Sequence, residues 1–195
     1  MNFGPPHHHR RSIRLRGYDY SLPGTYYVTI CIENKQPILG KITEDEMMLY
    51  EAGQIAKRAW EMLPQRLSSV ALDAFVVMRN HVHGIIRIER RTPVVGAPLG
   101  ISEPNPIRAQ QAAPLQTLGD IVRVFKSTSA ISINRLLGRS GRRVWQRNYY
   151  EHIVRSWEEL EKIRGYIAEN PLRWAADREN PGWQGTDDFA LPWET

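Results

Sequence analysis

The stretch whose reading decides the fold is LDAFVVMRNHVHGIIRI, residues 72 to 88. Two runs rich in β-branched and apolar residues, LDAFVVM and HVHGIIRI, are separated only by Arg79 and Asn80, which predicts a tight antiparallel hairpin. Side chains alternate along a strand. His81, His83, Ile85 and Arg87 therefore share one face, and Val82, Gly84, Ile86 and Ile88 share the other. Two imidazoles two residues apart on one face are close enough to hold one metal ion. The same spacing also suits an ordinary half-exposed polar face, and spacing alone does not separate the two. Gly84, lacking a side chain, would let backbone or a ligand approach closely.

Outward from the hairpin, GTYYVTICI (24–32) alternates in the manner of another strand, and PILGKI with EMMLY reads as a second hairpin around Thr43, Glu44 and Asp45. EAGQIAKRAWEMLPQRL (51–67) has Ile55, Ala59, Trp60 and then Met62 or Leu63 at roughly the helical period, with Pro64 disturbing its end. Residues 91–116 hold five prolines and no periodicity, so they read as a flexible connector or surface loop. A helix follows from Thr117 or Leu118 to about Leu137, and VWQRNYYEHIVR (144–155) reads as extended or irregular. Ser156, with Glu159 three residues on, has the form of a capping box. The helix it opens, SWEELEKIRGYIAEN (156–170), stops against Pro171. Strand, hairpin, helix, hairpin, helix, helix is the order of an α+β fold, an antiparallel sheet with helices packed on it. It divides into a basic arm (1–16), one folded domain expected to carry the site (17–175, including the proline-rich 91–116) and a tail (176–195).

Charge points to the partner. The chain has 195 residues, a net charge of +5 and a pI near 9.5. Arg10, Arg11, Arg14 and Arg16 precede the first strand, and Arg123, Lys126, Arg135, Arg139, Arg142, Arg143 and Arg147 follow in a stretch whose only acid is Asp120. Such clustering is the footprint of a polyanion partner, with scattered solvating charge as the plainer alternative. Tyr18, Tyr20, Trp145, Tyr149 and Tyr150 interleave with these cations as stacking surfaces or as core. Cys31 stands alone inside an apolar strand, so no internal disulfide forms and a cytoplasmic location is expected. No apolar run is long enough to cross a membrane. The three histidines near the N-terminus are left out of the site.

In the last helix Leu160, Ile163 and Ile167 form the buried stripe, and Tyr166 and Asn170, four apart, stack on one flank, with Lys162 one turn before Tyr166. They either look onto the sheet together or serve as a rim residue and a helix end.

RSIRLRGYDYSLPGTYYVTICI, FVVMRNHVHGIIRI, LGDIVRVFKS, VWQRNYYEHIVR and the helix ending GYIAENP together resemble the REP-associated tyrosine transposases. These are relatives of the insertion-sequence transposases among the HUH single-strand nucleases. The matching stretches cover most of residues 11–172 in the family's order. The resemblance implies a ferredoxin-like HUH endonuclease fold and metal binding by His81 and His83. It implies Asn170 as the polar third ligand, where many insertion-sequence relatives carry glutamine, and Tyr166 as nucleophile. Arg79 stands where many members have proline. A Mg²⁺ or Mn²⁺ ion would be the cofactor, and the reaction would be strand cleavage and transfer on single-stranded or hairpin DNA from repeated palindromes, through a 5′-phosphotyrosine. That is the chemistry of DNA transposition and recombination. Arg11, Arg14, Arg16, Arg123, Lys126, Arg142, Arg143, Arg147 and Lys162 would serve DNA binding. His152 would be a further partner near the site or a brace at the strand-to-helix junction. Two other readings stand beside it: a palindrome-binding protein that does not cleave, and an unrelated zinc hydrolase in which Tyr166 is dispensable.

Overall fold

The computed structural model describes residues 17–89, 116–183 and Leu191. The basic arm with Arg11, Arg14 and Arg16, and nearly all of the proline-rich connector, lie outside the described residues. Four antiparallel strands form the main sheet in the order β4-β5-β1-β6: β1 (Gly24–Cys31), β4 (Val70–Val77), β5 (His81–Ile88) and β6 (Tyr150–Val154). A separate hairpin pairs β2 (Gly40–Thr43) with β3 (Glu46–Leu49). Its turn places Glu44 and Asp45 at φ +52° and +62°, a conformation in which both central residues are left-handed and which matches the twist of the flanking strands.

The helices are α1 (Glu51–Glu61), the short α2 (Leu63–Arg66), α3 (Leu118–Leu136) and α4 (Trp157–Glu169). Pro64 sits in the first turn of α2, where its missing N–H costs nothing, so the chain breaks at Met62 and restarts. Two cores lie on opposite faces of the sheet. Val82, Ile86 and Ile88 of β5 pack with Tyr26, Val28 and Ile30 of β1 against Trp60 and Phe125. Ile85 and Tyr27 face the other way, onto Leu160, Ile163 and Ile167 of α4. The alternation expected of residues 81–88 thus holds, as does the buried stripe of the last helix.

One open reading is decided and two local expectations change. The segment 144–155 contributes an edge strand, β6, which the sequence leaves undecided because neither its pattern nor its length is strand-like throughout. Ser156 Oγ accepts from the Glu159 amide, but the Glu159 carboxylate turns away from the cap to the Arg155 amide and His152, so the box is only half formed. The full box is at Thr117 and Asp120 on α3. At Gly84 the close approach comes from the core side: a Cβ there would lie 2.3 Å from the Trp60 ring, which stacks on Phe75.

The Arg164 guanidinium donates to both carboxylate oxygens of Asp73, at 2.8 and 2.6 Å, and so pins α4 to β4 as a planar fork. That contact fixes which way the helix presents Tyr166.

Candidate metal centre and nucleophile

His81 and His83 are not half-exposed: their exposures are 0% and 3%. Their Nε2 atoms lie 2.9 Å apart, and each ring is held from behind. The His81 Nδ1 sits 2.9 Å from Asn80 Oδ1, and Asn80 in turn donates to the carbonyls of Lys35 and Glu179. With the Asn80 amide so oriented, its oxygen faces the ring and Nδ1 carries the proton, which leaves Nε2 of His81 an acceptor turned toward His83 Nε2. The His83 Nδ1 meets the Tyr27 hydroxyl at 2.7 Å and Thr29 Oγ1 at 2.9 Å. Fixing the far nitrogen of each ring is what orients an imidazole to ligate with the near one.

The third member of the cluster is Asp177, just beyond the domain end at 175 that the sequence suggests. Its Oδ2 lies 3.5 Å from His81 Nε2 and 3.8 Å from His83 Nε2, and among the described residues it has no hydrogen-bond partner of good geometry. A short helical turn, Trp174–Ala176, delivers it: Trp174 lies nearly parallel to the His81 ring, and the Arg79 guanidinium covers Trp174 from outside. This gives Arg79 a role the hairpin turn alone does not suggest. Lys35 closes the strap by donating to the Arg178 carbonyl and pairing with Glu179 at 3.2 Å.

The donor set fits a divalent cation. Ligand atoms around an ion at about 2.1 Å sit roughly 3.0 to 3.4 Å apart in octahedral or tetrahedral arrangement; the separations of 2.9 and 3.5 Å lie close to this, and the third, 3.8 Å, is wider. Burial, then the neighbouring His83, drives the His81 pKa down to about 3, so this imidazole is neutral at physiological pH. Burial pushes the Asp177 carboxyl up, but the His83 and His81 imidazoles and the Glu179 amide outweigh it, and its pKa settles at about 2. A carboxylate is thus buried beside an uncharged ring with an oxygen unpartnered, a costly arrangement that a cation relieves.

These shifts carry a stability consequence in metal-free protein. The unfolded chain protonates this histidine below about pH 6.5, whereas the native ring resists until about 3, so folding loses free energy as pH falls through that window. Asp177 adds a loss in the same direction below the ordinary aspartate value of 3.8. Urea unfolding with chelator should show about 2 to 3 kcal/mol less stability at pH 4.5 than at pH 6.5. Unchanged or greater stability at the lower pH would contradict the neutral buried imidazole.

Tyr166 comes to the same place from α4. Its ring centroid is 5.4 Å from that of His83 and 6.3 Å from that of Tyr27. Burial and then Asp177 raise its pKa well above the ordinary phenol value, and the Asn170 amide opposes them. Asn170 ends α4, is 1% exposed, and among the described residues has no hydrogen-bond partner of good geometry for Oδ1 or Nδ2. Tyr166, Asn170 and the two histidines therefore share one buried corner. Tyr149 is elsewhere, packed on the opposite core, and His152 joins β6 to the first turn of α4 through Glu159 at 2.7 Å, the brace role. Lys162 is exposed on α4. Lys126 donates to the carbonyls of Gln146, Arg147 and Asn148, which makes it an anchor for that loop.

No family model matches the chain. An uncharacterised protein of Haemophilus influenzae (strain ATCC 51907 / DSM 11121 / KW20 / Rd) is 41% identical over 174 residues, which cover 88% of this chain and 93% of that protein. The chain belongs to the family of that protein. Among solved structures, a REP-associated tyrosine transposase bound to a REP hairpin matches with a TM-score of 0.55 at 16% identity, over 86% of this chain and 77% of the other. The chain therefore has the fold of a REP-associated tyrosine transposase, as its motifs suggest. Within that fold the buried His81, His83 and Asp177 form a group that could hold a metal ion. No helix among the described residues is long and apolar enough to cross a membrane.

Proposed function

We propose that this protein is a metal-dependent DNA strand transferase that cuts single-stranded or hairpin DNA through a 5′-phosphotyrosine at Tyr166. The observation that carries the reading is the placement of the Tyr166 ring beside His83 in a buried cluster of two imidazoles and a carboxylate. The REP hairpin bound by the structurally similar transposase supports DNA as the partner, as do the cations of α3 and the loop after it.

His81, His83 and Asp177 would hold the ion, with Asn170 beside them as an alternative or additional ligand. Two imidazoles with one carboxylate suit Mn²⁺, and Mg²⁺ with waters completing its shell. The ion would draw charge from a non-bridging phosphate oxygen and steady the negative charge of the transition state. The Tyr166 oxygen attacks phosphorus, the P–O3′ bond breaks, and the phenolic proton is balanced by the proton gained at the departing 3′ oxygen. A phenol with a raised pKa is a poor nucleophile until its proton is lost, so activation depends on the charge brought into the corner. The ester formed preserves the bond, and another 3′-hydroxyl can take the 5′ phosphate without ATP.

The burial of the histidines favours one competing reading, a palindrome-binding protein in which the same cluster only stabilises the fold. One incubation separates them. Labelled hairpin DNA with Mn²⁺, run on a denaturing gel, should give a protein–DNA adduct under strand transfer, and only free DNA for a binder.

A further inference from the structure

A groove of about 510 Å³ runs between α3 and the loop 142–149, on the side of the sheet away from Tyr166. Its size is within the roughly 300 to 1,000 Å³ of typical ligand sites. The lining has an unusual charge: five of its residues are Lys or Arg and none is acidic. Arg123 and Arg143 have partners just outside, Asp120 at 2.8 Å and Glu33 at 3.3 Å. Arg142 and Arg147 are exposed and have no acidic partner among the described residues.

Beneath these cations the floor is apolar, made by Val122, Ala130, Trp145 and Tyr149. It is also rigid. The Trp145 indole donates to Ser129 Oγ at 2.9 Å, and the Lys126 ammonium, tied to three loop carbonyls, sits 5.3 Å from the centre of the Tyr149 ring. The loop hangs on the end of β1, through the Trp145–Ile32 bridge and the Gln146 amide on the Cys31 carbonyl. Cys31 stands opposite His81 in the register, so the groove opens at the end of the sheet that carries the metal cluster.

Cations above an apolar floor fit a particular class of ligand. A duplex keeps its base faces stacked inside and offers phosphates and the base edges of its grooves, so it has no base face to set on an apolar floor. An unpaired nucleotide offers a phosphate and a bare base face together. We propose that this groove is a subsite for unpaired nucleotides of the DNA strand, with bases against Tyr149 and its apolar neighbours and phosphates on Arg142 and Arg147. The proposal rests on the DNA reading above and assigns the groove the single-stranded part of the substrate, apart from the stem.

The test is fluorescence anisotropy with full-length protein carrying Tyr166→Phe, in chelator, so that cutting plays no part. The probes are a labelled oligothymidylate and a strand of equal length built from abasic sites. Base contact is expected to make the thymidylate bind at least about tenfold more tightly. Arg142→Ala with Arg147→Ala should weaken both probes and flatten the salt dependence by about 1.4 in the log–log slope. Tyr149→Ala should erase the preference for the thymidylate while leaving abasic binding unchanged. Ala130→Leu, which fills the floor without touching charge, should do the same and decides the matter if the tyrosine variant is unfolded by circular dichroism. The proposal is overturned if the folded floor variants keep the preference, if they weaken both probes equally, or if the Tyr166→Phe protein without further substitution shows no preference. Since the protein used cannot form an adduct, failure of the strand-transfer reading and failure of the subsite are read separately.

Discussion

Tyr166→Phe is expected to abolish the covalent protein–DNA adduct and to lower strand cleavage by at least about 10³-fold, as losses of an attacking residue do. The substitution removes one oxygen and leaves the ring in place, so the contacts with His83 and Tyr27 persist. Burial supports the same view: the ring's packing holds α4 on the sheet, whereas the hydroxyl's surroundings raise its pKa, so its removal costs little stability. Mn²⁺ affinity and thermal stability should therefore stay close to wild type. A Tyr166→Phe protein that still cuts at wild-type rate would show that the nucleophile is another residue or a water, and the zinc-hydrolase reading would regain ground.

Metal affinity should fall most when a histidine is lost. His81→Ala or His83→Ala is expected to weaken Mn²⁺ binding by more than about 100-fold and to eliminate cleavage, while DNA binding survives because the free cations lie elsewhere. The third ligand is decided by comparing Asp177→Asn with Asn170→Ala. The Asp177 oxygen is within 3.8 Å of both Nε2 atoms and carries charge, so its loss should be the more severe of the two in a calorimetric Mn²⁺ titration. Asn80→Ala removes the group that fixes the His81 tautomer and should cost about 10- to 100-fold in metal affinity. If both histidine variants bind Mn²⁺ as wild type does, the cluster is structural.

Much of this was legible in the chain because it depends on short-range periodicity. Alternation along 81–88 put both imidazoles on one face, and a period of 3.6 put Leu160, Ile163 and Ile167 against the sheet with Tyr166 on their flank. Capping was only partly legible, because Glu159 chooses among three nearby donors that sequence cannot rank: its own cap, the Arg155 amide and His152. Asp177 was not legible at all. It lies in an aperiodic segment among other acids, and only the tertiary path of 174–179 over the β5 histidines distinguishes it from Glu179 or Asp188. The same holds for Asn80 and Arg79, which read as turn residues until their partners, the Glu179 carbonyl and the Trp174 ring, are placed by the fold. The separation of Tyr149 from Tyr166 likewise rests on topology: β6 runs along the edge of the sheet, and the residue before it packs on the opposite core.

The central claim is that Tyr166, set beside the metal cluster, forms the bond to DNA. With eight tyrosines in the chain, the most direct measurement is peptide mapping of the trapped protein–DNA adduct by mass spectrometry after nuclease and protease digestion. A phosphonucleotide on the peptide containing Tyr166 is expected. Modification at Tyr149, Tyr150 or Tyr27 instead, or an adduct that forms equally well in His81→Ala protein, would contradict it.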